Sequence, residues 1–218
     1  MSDERLGRLL EMLADVMRVA HAKGLINVLG GNASFRWGDG FYITPSQVPK
    51  HRLSPEDMVY VPFDMEPQKS LTGKKASMEW RMHKHIYQAL PEVNAIIHTH
   101  NPFTLALYSA GLSVNPEDYI EAYSIGKCVA TIPYIPPGSE ELAKAVANAV
   151  RKCRVVVLLG HGVVAAARTL YQALDAVEAL NDICMAEALK HVITSSEKAR
   201  MIGREFMQGT GKYRRTAP

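Results

Sequence analysis

Ala95-Ile96-Ile97-His98-Thr99-His100 is a short apolar run that ends in two histidines separated by one residue. Such a run reads as a strand, and strand side chains alternate between faces, so His98 and His100 project to one side and Thr99 to the other. Two imidazoles about 7 Å apart along a strand can converge on a metal ion, or they can be half-buried histidines at a strand end. Two further segments favour the metal. Val155 to Leu159 reads as a buried strand, and His161 follows it between Gly160 and Gly162, where a backbone can bend sharply enough to aim a side chain. Upstream, Lys75-Ala76-Ser77-Met78-Glu79-Trp80 reads as the opening of a helix, with Ser77 at the N-cap and Glu79 in the first turn. Three histidines and one carboxylate make a tetrahedral or near-tetrahedral set with a displaceable fourth ligand, which suits catalysis better than structure.

At 218 residues, 47% hydrophobic and 22% charged, the chain can bury a full core in a single domain spanning 1–218. No repeat, low-complexity tract or linker divides it. The formal charge of +3 comes from scattered basic residues, apart from a tail cluster at Lys212, Arg214 and Arg215. That balance does not argue for nucleic acid, and no nucleic-acid partner is expected; it suits an anionic small substrate. Cys128, Cys153 and Cys184 are odd in number and widely spaced, which is neither a disulfide framework nor a zinc knuckle. Each is read as a small buried apolar residue, with a reducing cytoplasm as the simplest home. The charged N-terminus lacks an apolar signal core, and no apolar run approaches the roughly 18 residues of a membrane span.

In chain order, Leu6, Leu9, Leu10, Leu13, Val16, Met17 and Ala20 recur at helical spacing, and Gly24 is placed to end that helix in a left-handed cap. Gly30-Gly31-Asn32-Ala33-Ser34 leads into a hairpin, Phe35 to Trp37 and Phe41 to Ile43, turned at Asp39-Gly40. The glycines form either a tight loop or a set of backbone N–H groups which, with Asn32 and Ser34, cradle an anion. Asp57 to Pro62 reads as a strand, Pro67 to Lys75 as a loop, and Ser77 to Leu90 as a helix stopped by Pro91. On that helix His83 and His85 read as surface or core-edge residues. Asn101-Pro102 starts a short helix ended by Gly111. Tyr119, Glu121 and Tyr123 alternate through a strand or an extended loop. Val129 to Tyr134 is a strand, Ser139 caps a helix to about Val150, and Gly162 to Ala167 pairs with Val155 to Leu159. Helices from about Leu170 to His191 and from Ser196 to Gln208 complete the body.

The ordered set Gly31-Asn32-Ala33-Ser34, Thr44-Pro45-Ser46, Ser77-Met78-Glu79, His98-Thr99-His100, Tyr119 ahead of Pro133-Tyr134, and Gly160-His161-Gly162 resembles the class II aldolase/adducin-type family. The likeness covers nearly the whole chain and is closest to the zinc-dependent fuculose-1-phosphate aldolases. It implies an α/β fold: one three-layer domain with a central, largely antiparallel sheet flanked by helices, assembling as a homotetramer with sites at subunit interfaces. It also implies His98, His100 and His161 as ligands of Zn2+ or another divalent transition metal. Glu79 matches the acid/base carboxylate that also ligates the metal without substrate. Tyr119 matches a tyrosine that crosses to the neighbouring subunit's site, while Gly31, Asn32, Ser46 and Ser77 match the phosphate cradle.

The implied reaction is reversible aldol cleavage of a short ketose, as its 1-phosphate, to dihydroxyacetone phosphate and an aldehyde through a metal-bound enediolate. A sugar-phosphate dehydratase, decarboxylase or epimerase shares the same metal and base, and adducin-like members keep the fold as a non-catalytic assembly module. The family's glycine after the loop hydroxyl residue is here Gln47, and its second serine is here Met78. The first change puts a side chain where backbone approaches the ligand, and the second removes a hydroxyl donor. The tail Lys212-Tyr213-Arg214-Arg215 either folds over a neighbour's site or is a disordered basic end.

Overall fold

Alternating apolar residues, many of them valine and isoleucine, build seven strands that pair into one sheet. In the computed structural model, which describes residues 2–195, these are β1 (Asn32–Trp37), β2 (Gly40–Ile43), β3 (Val59–Pro62), β4 (Ala95–Thr99), β5 (Val129–Ile132), β6 (Val155–Leu158) and β7 (Gly162–Ala167). The strand order is β3-β2-β1-β4-β7-β6-β5. All neighbours run antiparallel except β5 and β6. The helices are α1 (Ser2–Ala22), α2 (Trp80–Ala89), α3 (Pro102–Ser109), α4 (Glu140–Val150) and α5 (Leu170–Ser195).

Period-two alternation sends successive strand residues to opposite cores, which makes the fold three layers. Ala33, Ile97, Val155, Val157 and Val163 pack with residues of α1, α3 and α5. Ile96, Val156, Leu158 and Val164 face α2 and α4. His98, two residues after Ile96, is therefore turned toward α2, where Glu79 stands. Among the described residues, no helix is long and apolar enough to cross a membrane.

The hairpin, the Gly24 cap at φ +70, the Ser139 cap accepting from the Leu142 N–H at 3.1 Å and the β6–β7 pairing all follow the sequence reading. Other elements depart from it. α2 begins at Trp80 with Glu79, not Ser77, at its N-cap. The Ser77 N–H donates to the Thr44 carbonyl at 3.1 Å and Ala76 bridges Pro45, so tertiary contacts hold this segment extended until a turn closes from Trp80 back to Ser77. Asp57 precedes β3 in a 3-10 turn, Pro55–Asp57, boxed by Ser54. Tyr119 to Tyr123 is not a strand: Tyr119 is extended, and Ile120–Ser124 forms a 3-10 helix that buries Ala122. His83 is fully buried, not at a surface or core edge, whereas His85 is half-buried and meets Glu140 at 2.9 Å.

The cysteine reading also changes. Cys128 and Cys153 form a disulfide with Cα atoms 5.3 Å apart. The parallel register that sets Val129 beside Val155 brings together the residues just ahead of both strands, although they are 25 apart in sequence. Cys184 is a buried free thiol, in keeping with the sequence. The second C-terminal helix and the basic tail at Lys212 to Arg215 lie outside the described residues.

Candidate metal and catalytic site

His98 leaves the end of β4, and His100 follows on the same side just past the strand. His161 comes from the turn between β6 and β7, where Gly160 adopts φ +69. Their ligand atoms all lie within 4.8 Å of one another. Glycine makes that approach feasible: a Cβ on Gly162 would stand 2.3 Å from the Thr99 carbonyl and 2.7 Å from the His98 ring. Gly31, at φ +69, similarly passes the His98 carbonyl, which a Cβ would meet at 2.8 Å.

The proton positions suit a cation. The His98 Nδ1–H donates to the Val163 carbonyl at 3.0 Å, which leaves Nε2 as a lone pair facing the cluster. That Nε2 lies 3.2 Å from His100 Nε2 and 3.2 Å from Glu79 Oε2. Glu79 Oε1 is 3.3 Å from His161 Nε2, yet it is buried and accepts no hydrogen bond. Ring nitrogens and a carboxylate thus crowd a common point with Glu79 Oε1 left unpartnered, an arrangement that a divalent cation satisfies. Burial holds the pKa of His98, His100 and His161 down to about 4, so all three imidazoles are neutral at physiological pH, the form that metal ligation requires.

A cleft of about 390 Å3 opens on this cluster and is lined by Gly31, Asn32, Ser46, Gln47, Lys50, Ser77, Met78, Glu79, His100 and His161, among others. A larger hollow beside it, sharing Met78 and Pro137, holds none of the histidines. The cleft therefore gathers nearly all of the sequence-predicted site residues. Asn32 Nδ2 donates to Glu79 Oε2 at 3.1 Å, and its Oδ1 faces His83 Nε2 at 2.6 Å. Ser46 Oγ accepts from the Met78 N–H at 3.1 Å, and Ser77 Oγ accepts from the Glu79 N–H at 3.4 Å. Gln47 is the one described non-glycine residue at positive φ (+55), a conformation that costs an L side chain energy.

Tyr119 is not brought to this cluster within the chain. Its hydroxyl donates to Glu187 on α5, in a separate hollow it shares with Glu121 and Asp182. Desolvation first, and then Glu187, push its pKa up to about 12.

Two residues escape a reading of the sequence alone. Lys50 is 1% exposed, lines the cleft, and donates to the carbonyls of Pro45 and Val48 at 3.0 and 3.3 Å. It has no carboxylate partner among the described residues, and burial lowers its pKa to about 8. Nothing in the sequence marks a buried lysine. His83 does carry a signal, since it lies four residues after Glu79 and so on the same helix face. Burial lowers its pKa from 6.5 to about 3. The folded state thus resists a proton that the unfolded chain accepts, so stability from neutral His83 is complete above pH 6.5 and is lost as pH falls toward 3. The thermal midpoint is expected to fall through that window, and less steeply in His83→Gln.

A sequence model of the class II aldolase and adducin N-terminal domain matches residues 11–188. The chain is 34% identical over 167 residues to a 5-methylthioribulose-1-phosphate/5-deoxyribulose-1-phosphate aldolase of Escherichia coli O45:K1, covering 77% of each protein. It is 32% identical to an L-fuculose phosphate aldolase of Haemophilus influenzae, covering 69% of this chain and 68% of that one. The crystal structure of L-fuculose-1-phosphate aldolase from Thermus thermophilus superposes with a TM-score of 0.77 at 29% identity, covering 87% of this chain and 97% of that one. With a family match across most of its length and aldolases among relatives above 30% identity, the chain belongs to the class II aldolase and adducin family and is a class II aldolase.

Proposed function

We propose that the protein is a zinc-dependent aldolase that reversibly cleaves a short ketose 1-phosphate to dihydroxyacetone phosphate and an aldehyde. The observation that carries this reading is the convergence of His98, His100, His161 and Glu79 beside a cleft that also holds Asn32, Ser46, Ser77 and Lys50. Class II aldolases are metal-dependent, and the triad is suited to hold the ion. When bound, zinc supplies Lewis-acid stabilisation of the charge that develops as the carbon-carbon bond breaks.

The chain's own groups handle the protons and the phosphate. In the cleavage direction the hydroxyl beside the breaking bond loses its proton and its carbon becomes the aldehyde. The other carbon keeps the electron pair and must gain a proton. Glu79, once released toward the cleft, is the proton carrier at that carbon. In bond formation Glu79 takes the proton from that carbon while Tyr119, protonated at neutral pH and reaching the partner subunit's site of a homotetramer, gives its proton to the aldehyde oxygen; in cleavage the Tyr119 oxygen takes the hydroxyl proton and Glu79 returns its own to carbon.

Ser46, Ser77, the Asn32 amide and the Gly31 loop form the phosphate cradle. Lys50 beneath them supplies a positive charge that offsets the losses at Gln47 and Met78. Because a sugar phosphate is a charged metabolite that stays inside cells, we place the enzyme in the cytoplasm, where the Cys128–Cys153 bridge would face a reducing pool.

Zinc-loaded protein given dihydroxyacetone phosphate and a panel of short aldehydes tests the proposal. Carbon-carbon bond formation is expected, abolished by a chelator and restored by zinc, with dihydroxyacetone a far poorer donor. Lys50→Met is expected to narrow that preference by about tenfold through KM, as one charge-assisted contact is worth roughly 1.5 kcal/mol. Failure to join any aldehyde, or release of water or carbon dioxide from the ketose instead, overturns the reading.

A further inference from the structure

One row of buried polar groups behind the metal cluster alternates between a strand and a helix. Glu79, His83 and Tyr87 recur every four residues along α2 and its cap, a rise of about 6 Å per step. Asn32 and Ser34 recur every two residues along β1, a rise of about 6.6 Å per step. The two spacings nearly match, so the side chains interleave as Glu79, Asn32, His83, Ser34, Tyr87. Successive contacts are 3.1, 2.6, 2.6 and 2.8 Å. Asn32, Ser34, His83 and Tyr87 are each at most 4% exposed. Phe41 lies nearly parallel to the His83 ring with centroids 6.5 Å apart.

Every proton in this row is determined by its neighbours. A carboxylate oxygen only accepts, so the Asn32 atom facing Glu79 is the amide nitrogen. Asn32 Oδ1 then faces His83 and accepts, so His83 Nε2 carries the hydrogen. Nδ1 of a neutral ring must accept, so the Ser34 hydroxyl donates to it. Ser34 has one hydrogen, so the Tyr87 hydroxyl donates to Ser34. All donors therefore point toward Glu79, and the row has one direction.

We propose that His83 is a positioning residue for the catalytic carboxylate: held as the Nε2–H tautomer, it locks the Asn32 amide with N–H toward Glu79 and the cleft. An Asn32 turned the other way would present an oxygen lone pair to the Glu79 carboxylate and release it from its orientation. The same lock leaves the second Asn32 amide hydrogen without an acceptor among the described residues. One histidine thereby sets both the aim of the proton carrier and the polarity offered to an incoming anion. The inference rests on the reading of Glu79 as the proton carrier, and its test has a readout that does not.

Nitrogen-15 spectra of wild-type protein labelled at histidine, assigned with His83→Gln, are expected to show His83 as a neutral Nε2–H ring from pH 6 to 9. His83→Leu, which cannot donate to Asn32, is expected to lose about 10- to 100-fold in kcat with metal content intact and KM within about threefold. His83→Gln, whose amide N–H can still donate, is expected to recover most of that loss. An Nδ1–H tautomer overturns the inference. So does a well-folded His83→Leu enzyme with wild-type kcat, or Gln and Leu variants equally impaired in step with their thermal midpoints. If wild-type protein joins no aldehyde, the proposed reaction falls, and the tautomer still decides the orientation of Asn32.

Discussion

Glu79→Gln is expected to lower kcat by about a thousandfold while the protein keeps its metal. The amide has the shape of the carboxylate and fills the same 4%-exposed position, so packing around the N-cap of α2 should persist. The three imidazoles are untouched and still converge within 4.8 Å, so the metal retains its main ligands. What the amide cannot do is exchange a proton with carbon. Metal analysis beside single-turnover kinetics separates the two effects. Turnover near that of the wild type in a metal-replete Glu79→Gln protein removes the role assigned to Glu79.

His98→Ala is expected to abolish both metal binding and turnover. His98 is the middle of the cluster, since its Nε2 is 3.2 Å from His100 Nε2 and from Glu79 Oε2. The substitution also strips the Val163 carbonyl of its 3.0 Å donor in a fully buried place, which costs about 1–3 kcal/mol. Added zinc at a hundred times its dissociation constant stabilises a binding fold by about 2.7 kcal/mol. Wild-type protein should therefore melt higher with zinc, and His98→Ala should not respond. A protein that contains no metal, assembles normally and is indifferent to this substitution would instead be a scaffold of the adducin kind.

The site is legible in the sequence to the extent that chemistry sits on local patterns. His-x-His at the end of an apolar run, a histidine between two glycines after a second run, and a carboxylate at a helix start each have a short-range signature. The hairpin at Asp39-Gly40, the caps at Gly24 and Ser139 and the antiparallel pairing at His161 are equally local. Ser77 does not cap the helix because its backbone binds Thr44, a partner 33 positions away that no propensity announces. The Tyr119 segment alternates like a strand, yet burial of Ala122 and Ile125 winds it into a 3-10 turn.

The sequence by itself determined which residues are candidates for metal and acid-base chemistry, and the α/β layering that side-chain periodicity imposes. Only the tertiary structure decided how they combine. Strand pairing joined Cys128 to Cys153, a loop closed over Lys50, and the matched repeats of α2 and β1 aligned His83 with Asn32. The physical reason is that ligand distances, burial and tautomers depend on groups far apart in the chain, which meet only when sheet register and helix packing are complete.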